Sequence, residues 1–257
     1  MSWRSAGTLA ANESSEFGLK DDWVTIQETL ERIIPVYDKT NRYISLGTDL
    51  KLRRRGMDLL VGSMGREDFS VLDLGCGTGK MSVQLISRCS KGNLALALMD
   101  PLVRMMKVAR AKTRLDGVVS VFENMPFKSS SFDAAMAGFS IRDARILSSA
   151  LSETYKLLVP SGRFLIVDLA KPDSSVRIFF IGFYWRVIAP AIAFLVSGRL
   201  GLKFGDLATT FKRLPKKSEL QKLAKRSGFE ILSAEYSMLG GACVLLLGKQ
   251  EGNPESF

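Results

Sequence analysis

"VLDLGCGTGK", residues 71–80, sets Gly75, Gly77 and Gly79 at alternate positions, two residues beyond a lone carboxylate, Asp73. An apolar run that breaks into such a loop and continues into the helix-length "KMSVQLISRCS" (80–90) reads as a strand turning into a helix around a ligand. First-turn N–H groups point outward at such a turn, and missing Cβ atoms let the ligand approach the backbone. The same alternation runs on down the chain. "FSVLDLG", "NLALALMD", "GVVSVF", "SFDAAMAG" and "GRFLIVDLA" are short apolar runs bounded by Gly, Asp or Ser. Between them, "PLVRMMKVARAKTR" and "DARILSSALSETYKLL" are long enough for helices. Strands alternating with helices predict a doubly wound α/β sheet of parallel strands, and near-continuous apolar strands predict a sheet covered on both faces.

Three ligands compete for the glycine loop. A phosphate-binding P-loop needs GxxxxGK[ST], but Leu74 holds the first glycine position and Met81 follows Lys80. A dinucleotide fingerprint needs GxGxxG, and Lys80 occupies the third glycine position, so NAD is disfavoured and stays open. S-adenosylmethionine carries a sulfonium and an ammonium and no phosphate, which makes Asp73 beside the loop an asset. Asp100 closes "LALALMDP", 25 residues after Gly75, where a carboxylate can accept both ribose hydroxyls. Its competing reading is a helix N-cap with Pro101 at the first helical position. Loop and spaced acid together predict a Rossmann-like class I methyltransferase.

The chain has 257 residues, 46% hydrophobic and 24% charged, which suits a globular protein with a real core. Cys76, Cys89 and Cys243 are too few and too scattered for a disulfide framework or a metal site. Histidine is absent, so acid–base chemistry falls to Asp, Glu, Tyr, Lys, Cys or the substrate. Residues 1–20 lack an apolar core and read as a disordered polar tail, in a protein of the reducing cytoplasm. Residues 21–248 read as one domain, with helices at 21–34 and 49–63 in an N-terminal part ending near 65. A cofactor-binding core follows over 66–172, and 249–257 form a second tail. The second helix is expected to carry "KLRRR" (51–55) on its outer face. The end of the domain adds a helix and two strands separated by Gly240-Gly241.

Net charge is +10, and nine cations against two anions fall between Arg199 and Arg226. Such a basic face suits phosphates of lipid or nucleic acid, or is simply a solvated helix. Nucleic acid is disfavoured: there is no appended binding module, and only Phe204 and Phe211 lie in the block for stacking. "VRIFFIGFYWRVIAPAIAFLVSG" (176–198) is the most apolar stretch. It is long enough to span a bilayer, but Arg186 and Pro190 interrupt it. The other readings are a core helix over the acceptor site, and an apolar surface that docks on an anionic membrane just before the basic block.

Beyond the loop, "YDKTNRYIS" (37–45), "ENMPFKSSSFDAAMAGFSIRD" (123–143), "LLVPSGRFLIVDLAKP" (157–172), "FKRLP" (211–215) and "GGACVLLLG" (240–248) resemble the ubiquinone/menaquinone biosynthesis C-methyltransferases. The resemblance covers roughly residues 30–250. It implies a seven-stranded sheet whose last strand is antiparallel and enters as a hairpin. It also implies methyl transfer from S-adenosylmethionine to a ring carbon of a polyprenylated quinol. By resemblance, Thr78 and the glycines, with Cys76 among them, hold the cofactor's amino-acid end; Asp100 and Pro101 meet its ribose, and the Phe122 backbone meets the adenine. Tyr37 and Arg142 fall at family positions near the quinol. The departures are Val121-Phe122 for an Asp-Ala or Asn-Ala pair, Gly138 for Ser, Asp143 for Asn, Asp49 for His, Leu52 for Trp and Thr40 for Met. Asp143 or Asp49 is the candidate base for a quinol hydroxyl, with Arg142 stabilising the phenolate. The alternatives are another lipid-like or aromatic acceptor, and a non-catalytic scaffold on the same fold.

Overall fold

The computed structural model describes residues 17–250 except 67, 90–92 and 207. Seven strands form one sheet: β1 (Phe69–Leu74), β2 (Leu94–Asp100), β3 (Gly117–Val119), β4 (Phe132–Gly138), β5 (Leu158–Leu169), β6 (Phe229–Tyr236) and β7 (Ala242–Lys249). Their order is β3-β2-β1-β4-β5-β7-β6. The first five pair in parallel, while β7 enters antiparallel between β5 and β6, with Arg163 opposite Gly248 and Leu169 opposite Ala242. The β6–β7 hairpin turns through 237–241, as the glycine pair predicts.

Side chains alternate between the two faces of each strand. Leu72, Phe164, Ile166, Leu245 and Leu247 point into one core, against Ala150 and Leu151 of α5 (Leu147–Leu157) and Leu223 of the helix Lys217–Arg226. Val71, Met136, Leu165, Val167 and Leu246 point into the other. There they meet Met57 and Leu60 of α2 (Thr48–Met64) and Met81 and Leu85 of α3 (Lys80–Arg88). Both faces are covered, as the continuous apolar strands require.

The first helix differs from the expectation. The apolar spacing predicts a helix over 21–34, but α1 runs from Trp23 to Ile44 straight through Pro35. The apolar stripe explains why: Ile26, Leu30, Ile33, Thr40 and Ile44 are all buried on one face, with half-buried Tyr37 filling the gap. Proline removes the N–H that would bond the Glu31 carbonyl, a loss of about 3 kcal/mol in an unsupported helix. Here Arg104, on α4 (Val103–Thr113), donates to that carbonyl at 3.2 Å instead.

The "KLRRR" run is a second correction. Arg53 is buried, on the same face of α2 as Asp49, Gly56, Met57 and Leu60. Positions 49, 53, 56, 57 and 60 make one helical stripe, so packing overrides the local charge.

The apolar segment forms α6 (Ser175–Phe183), a π-helical turn at Tyr184–Ile188 and α7 (Ala189–Ser197), followed by the short α8 (Arg199–Leu202). It packs on α1 rather than over the pocket described below. Ala189 and Ala193 seat against the stripe of α1, the Thr40 and Ser197 hydroxyls bond at 2.6 Å, and the Tyr184 hydroxyl donates to the Ile44 carbonyl. Of the expected terminal tails, 1–16 and 251–257 lie outside the described residues. Leu19 is fully buried, and its N–H bonds the Ala144 carbonyl at 2.8 Å.

Candidate active site

Strand order reverses between β1 and β4, which opens a crevice beyond their carboxyl ends. The glycine loop lies in it. Gly75, Gly77 and Gly79 all take positive φ, where side chains are strained. A Cβ on Gly75 would sit 2.6 Å from Cβ of Ser140, whose hydroxyl is tied to the Leu74 carbonyl at 2.7 Å. A Cβ on Gly77 would meet nothing within 4 Å; this glycine faces a pocket enclosing about 680 Å³ with its open mouth. The loop is braced from β2, where the Cys76 N–H bonds the Met99 carbonyl and the Gly77 N–H bonds Oδ2 of Asp100 at 2.7 Å. The other Asp100 oxygen accepts the Leu102 N–H at 2.9 Å. The expected N-cap role is not met, because the following helix starts at Val103 with Leu102 at its N-cap and no side-chain cap.

Gly75, Cys76, Gly77, Thr78, Asp100, Pro101, Val121 and Phe122 all line this pocket. Asp73 does not. It is fully buried behind the loop, accepting from Ser82 at 2.5 Å, and its other oxygen has no hydrogen-bond partner. Burial pushes both Asp73 and Asp100 up to about 6. Neither forms an ion pair among the described residues. Burial likewise raises the Cys76 thiol far above the range in which it could ionise.

The four candidate acceptor-side residues separate. Tyr37 and Asp143 line the pocket, whereas Asp49 and Arg142 do not. Asp49 is buried, accepts from Ser45 at 3.0 Å and pairs with Lys80 at 3.6 Å. Arg142 is pinned at 2.7 Å to Asp168, a buried residue near the end of β5, and lies 3.7 Å from Asp143. Burial pushes Asp143 up to about 7 against the pull of Arg142, with Asp168 and Asp100 adding to the rise. Tyr37 stacks on Phe204 at 6.4 Å and its hydroxyl is raised by burial.

Several lining residues escaped the sequence reading: Trp23, Gln27, Arg53, Lys80 and Met105. Asp38, behind the loop, was missed as well. It accepts from the Thr78 hydroxyl and from Lys112, both at 2.8 Å, and pairs with Lys80 at 3.3 Å, latching α1 to the loop. Burial would raise Asp38, but Lys112, Lys80 and Thr78 hold it below its ordinary value. Besides the resemblance that puts Tyr37 near the acceptor, the continuous stripe of α1 through Pro35 is the signal that this helix reaches the site.

The donor set decides the ligand's charge. Asp100 faces the pocket and forms no ion pair among the described residues, so a pyrophosphate seated against the loop would meet a carboxylate. Asp100 and Phe122 in the lining suit a cationic ligand that carries an adenosine. The residues fit S-adenosylmethionine.

Sheet order, inserted antiparallel strand and cationic-ligand loop define a class I, S-adenosylmethionine-dependent methyltransferase. Solved structures share the fold at low identity. The 1,6-didemethyltoxoflavin-N1-methyltransferase of Burkholderia thailandensis, determined with S-adenosylhomocysteine bound, is 15% identical with a TM-score of 0.54, covering 85% of this chain and 88% of that one. The [4+2]-cyclase SpnF is 18% identical with a TM-score of 0.56, covering 77% and 81%. The chain itself belongs to the ubiE/COQ5 methyltransferase family, whose model matches residues 17–249. A demethylmenaquinone methyltransferase of Thermus thermophilus is 29% identical over 212 residues, 80% of this chain and 92% of the relative. A ubiquinone/menaquinone biosynthesis C-methyltransferase of Rickettsia prowazekii is 26% identical over 236 residues, 88% and 92%.

Proposed function

We propose that this protein methylates a ring carbon of a polyprenylated quinol, the chemistry that its relatives' names describe. The observation that carries the reading is the pocket lining, which joins the half-buried carboxyl of Asp143 and the ring of Tyr37 to apolar Leu30, Met105 and Phe139. That surface suits an aromatic ring bearing a hydroxyl. When bound, S-adenosylmethionine supplies an activated methyl group on a cationic sulfur. Asp100 accepts the ribose hydroxyls, Phe122 packs on the adenine side, and Gly77 leaves room for the amino-acid end. Asp143 accepts the proton of a ring hydroxyl, which makes the neighbouring carbon electron-rich. Arg142 acts through its neighbours as a positioning residue: with Asp168 it holds the 141–143 turn so that Asp143 faces the pocket. Holding donor and acceptor in line supplies much of the rate, about 7–11 kcal/mol in favourable cases.

The test is to incubate the purified protein with methyl-labelled cofactor and total membrane lipid, then identify the labelled product by mass. A quinone one methylene heavier than its precursor is expected; label only in a product without a quinone ring defeats the reading.

The acceptor is membrane-resident in this reading, and the apolar segment suits a docking surface. It has the length and hydropathy of a span, 23 residues with mean hydropathy 1.9, but it packs on α1 with only 17% of its most apolar window buried. Phe179 and Leu195 are 69% and 83% exposed, and Val176, Phe180 and Phe183 join them. Residues 175–203 hold four cations and no anion, and Arg177, Arg186 and Arg199 make no ion pair among the described residues. The later basic block contributes less than its composition suggests, because Arg213 pairs with Asp22 and Lys217 with Asp173. Co-sedimentation with phosphatidylserine vesicles is expected, weakened by salt and lowered at least about tenfold by Phe179→Glu with Leu195→Glu, since each lost apolar insertion removes about 1.5–3 kcal/mol. Indifference to lipid charge would count against docking.

A further inference from the structure

Arg53 is a buried cation that Asp49, Asp73 and Asp168 attract from beyond ion-pair distance. It is 8% exposed, lines the pocket, and makes no ion pair among the described residues. One guanidinium nitrogen, Nη2, donates to the Gly138 carbonyl at a long 3.3 Å, Nε has no acceptor, and the group lies 4.8 Å over the Phe139 ring. Burial lowers its pKa, the signature of a charge held where water cannot solvate it. Such a group is costly unless an anion pairs with it. Lys80, the other cation lining the pocket, is already held by Asp38 and Asp49.

Gly138 makes room for it. A Cβ there would lie 2.5 Å from Nη1 of Arg53 and 2.4 Å from Cγ of Met81. The resemblance to the quinone C-methyltransferases puts a serine at this position. In this chain, the seat of that side chain is filled by a guanidinium reaching across from α2. The place adjoins the glycine loop, since Ser140, two residues on, abuts Gly75.

We propose that Arg53 is the anion subsite of the pocket and takes the carboxylate at the amino-acid end of S-adenosylmethionine. The inference rests on the methyl-donor reading and adds the one charge that the pocket's carboxylates cannot serve. A guanidinium offers parallel donors that match the two oxygens of a carboxylate, and such charge-assisted pairs are the stronger kind of hydrogen bond.

Titration calorimetry with S-adenosylmethionine and with its decarboxylated analogue separates this proposal from its parent. The wild-type protein is expected to prefer the carboxylated ligand by about 10- to 100-fold. Arg53→Met should bind both ligands within about threefold, and Arg53→Lys should recover part of the preference. If Arg53→Met does not fold, Arg53→Gln reads the same quantity with a polar side chain of similar reach. A wild-type protein that binds both ligands equally overturns the Arg53 assignment and leaves the donor site standing. So does a preference that survives Arg53→Met or Arg53→Gln, or one lost instead in Lys80→Met. A wild-type protein that binds neither ligand defeats the methyl-donor reading itself.

Discussion

Asp143→Asn is expected to slow methyl transfer by about 10²- to 10⁴-fold while leaving the affinity for S-adenosylmethionine within about threefold. Besides Asp100, which is bonded to two backbone amides, Asp143 is the carboxyl that reaches the pocket. Held up to about 7 by burial, it loses its proton in the range where a base is useful. The rate in wild-type protein should therefore rise with pH through about 7, because the base works only when ionised, and Asp143→Asn should lose that limb. The resemblance places Asn here and His where Asp49 stands, so the substitution restores one family residue without the other, in a chain that has no histidine. Turnover within threefold of wild type, or an unchanged limb, would sink the assignment. The stability sign is independent of turnover. A carboxyl raised from 3.8 to about 7 binds its proton more tightly folded than unfolded. Its contribution is thus complete below 3.8 and is lost as pH climbs through about 7; Asp143→Asn should flatten that part of the thermal-stability profile.

The second large effect belongs to Asp100. Asp100→Asn should weaken cofactor binding at least about 10²-fold and lower the melting temperature as well. Each carboxylate oxygen accepts a backbone N–H, from Gly77 at 2.7 Å and from Leu102 at 2.9 Å. An amide can present oxygen to one of them only, so its NH₂ must face another donor. Bonds to a charged group are worth about 1.5–3 kcal/mol each, and the ribose hydroxyls lose their charged acceptor at the same time. Calorimetry for affinity and a thermal melt for the fold check the two parts separately. Retained affinity would show that the ribose is held elsewhere.

The parts of this molecule legible in its sequence are those where backbone geometry and residue type coincide. The glycine loop needs positive φ, Asp100 ends an apolar strand, and the five early strands announce themselves by their boundaries. The β6–β7 hairpin came from its glycine pair. What stayed hidden depends on packing between distant elements. The first helix runs ten residues past its expected end because its buried stripe packs on other elements and Arg104, on another helix, takes the Glu31 carbonyl that Pro35 frees. Arg53 sits inside a run of cations that reads as a solvated face, although its spacing to Met57 and Leu60 places it on the buried one. Asp49 and Asp143 look equivalent as residue types. They part because one meets Lys80 behind the wall and the other lies on the pocket surface.

The greasy crest of α6 and α7 also governs how the molecule behaves in a test tube. Among the described residues nothing covers those phenylalanines and leucines, and in water they favour burial against another copy of the chain. Oligomers seen in plain buffer therefore report on colloidal self-association until they persist in a mild detergent.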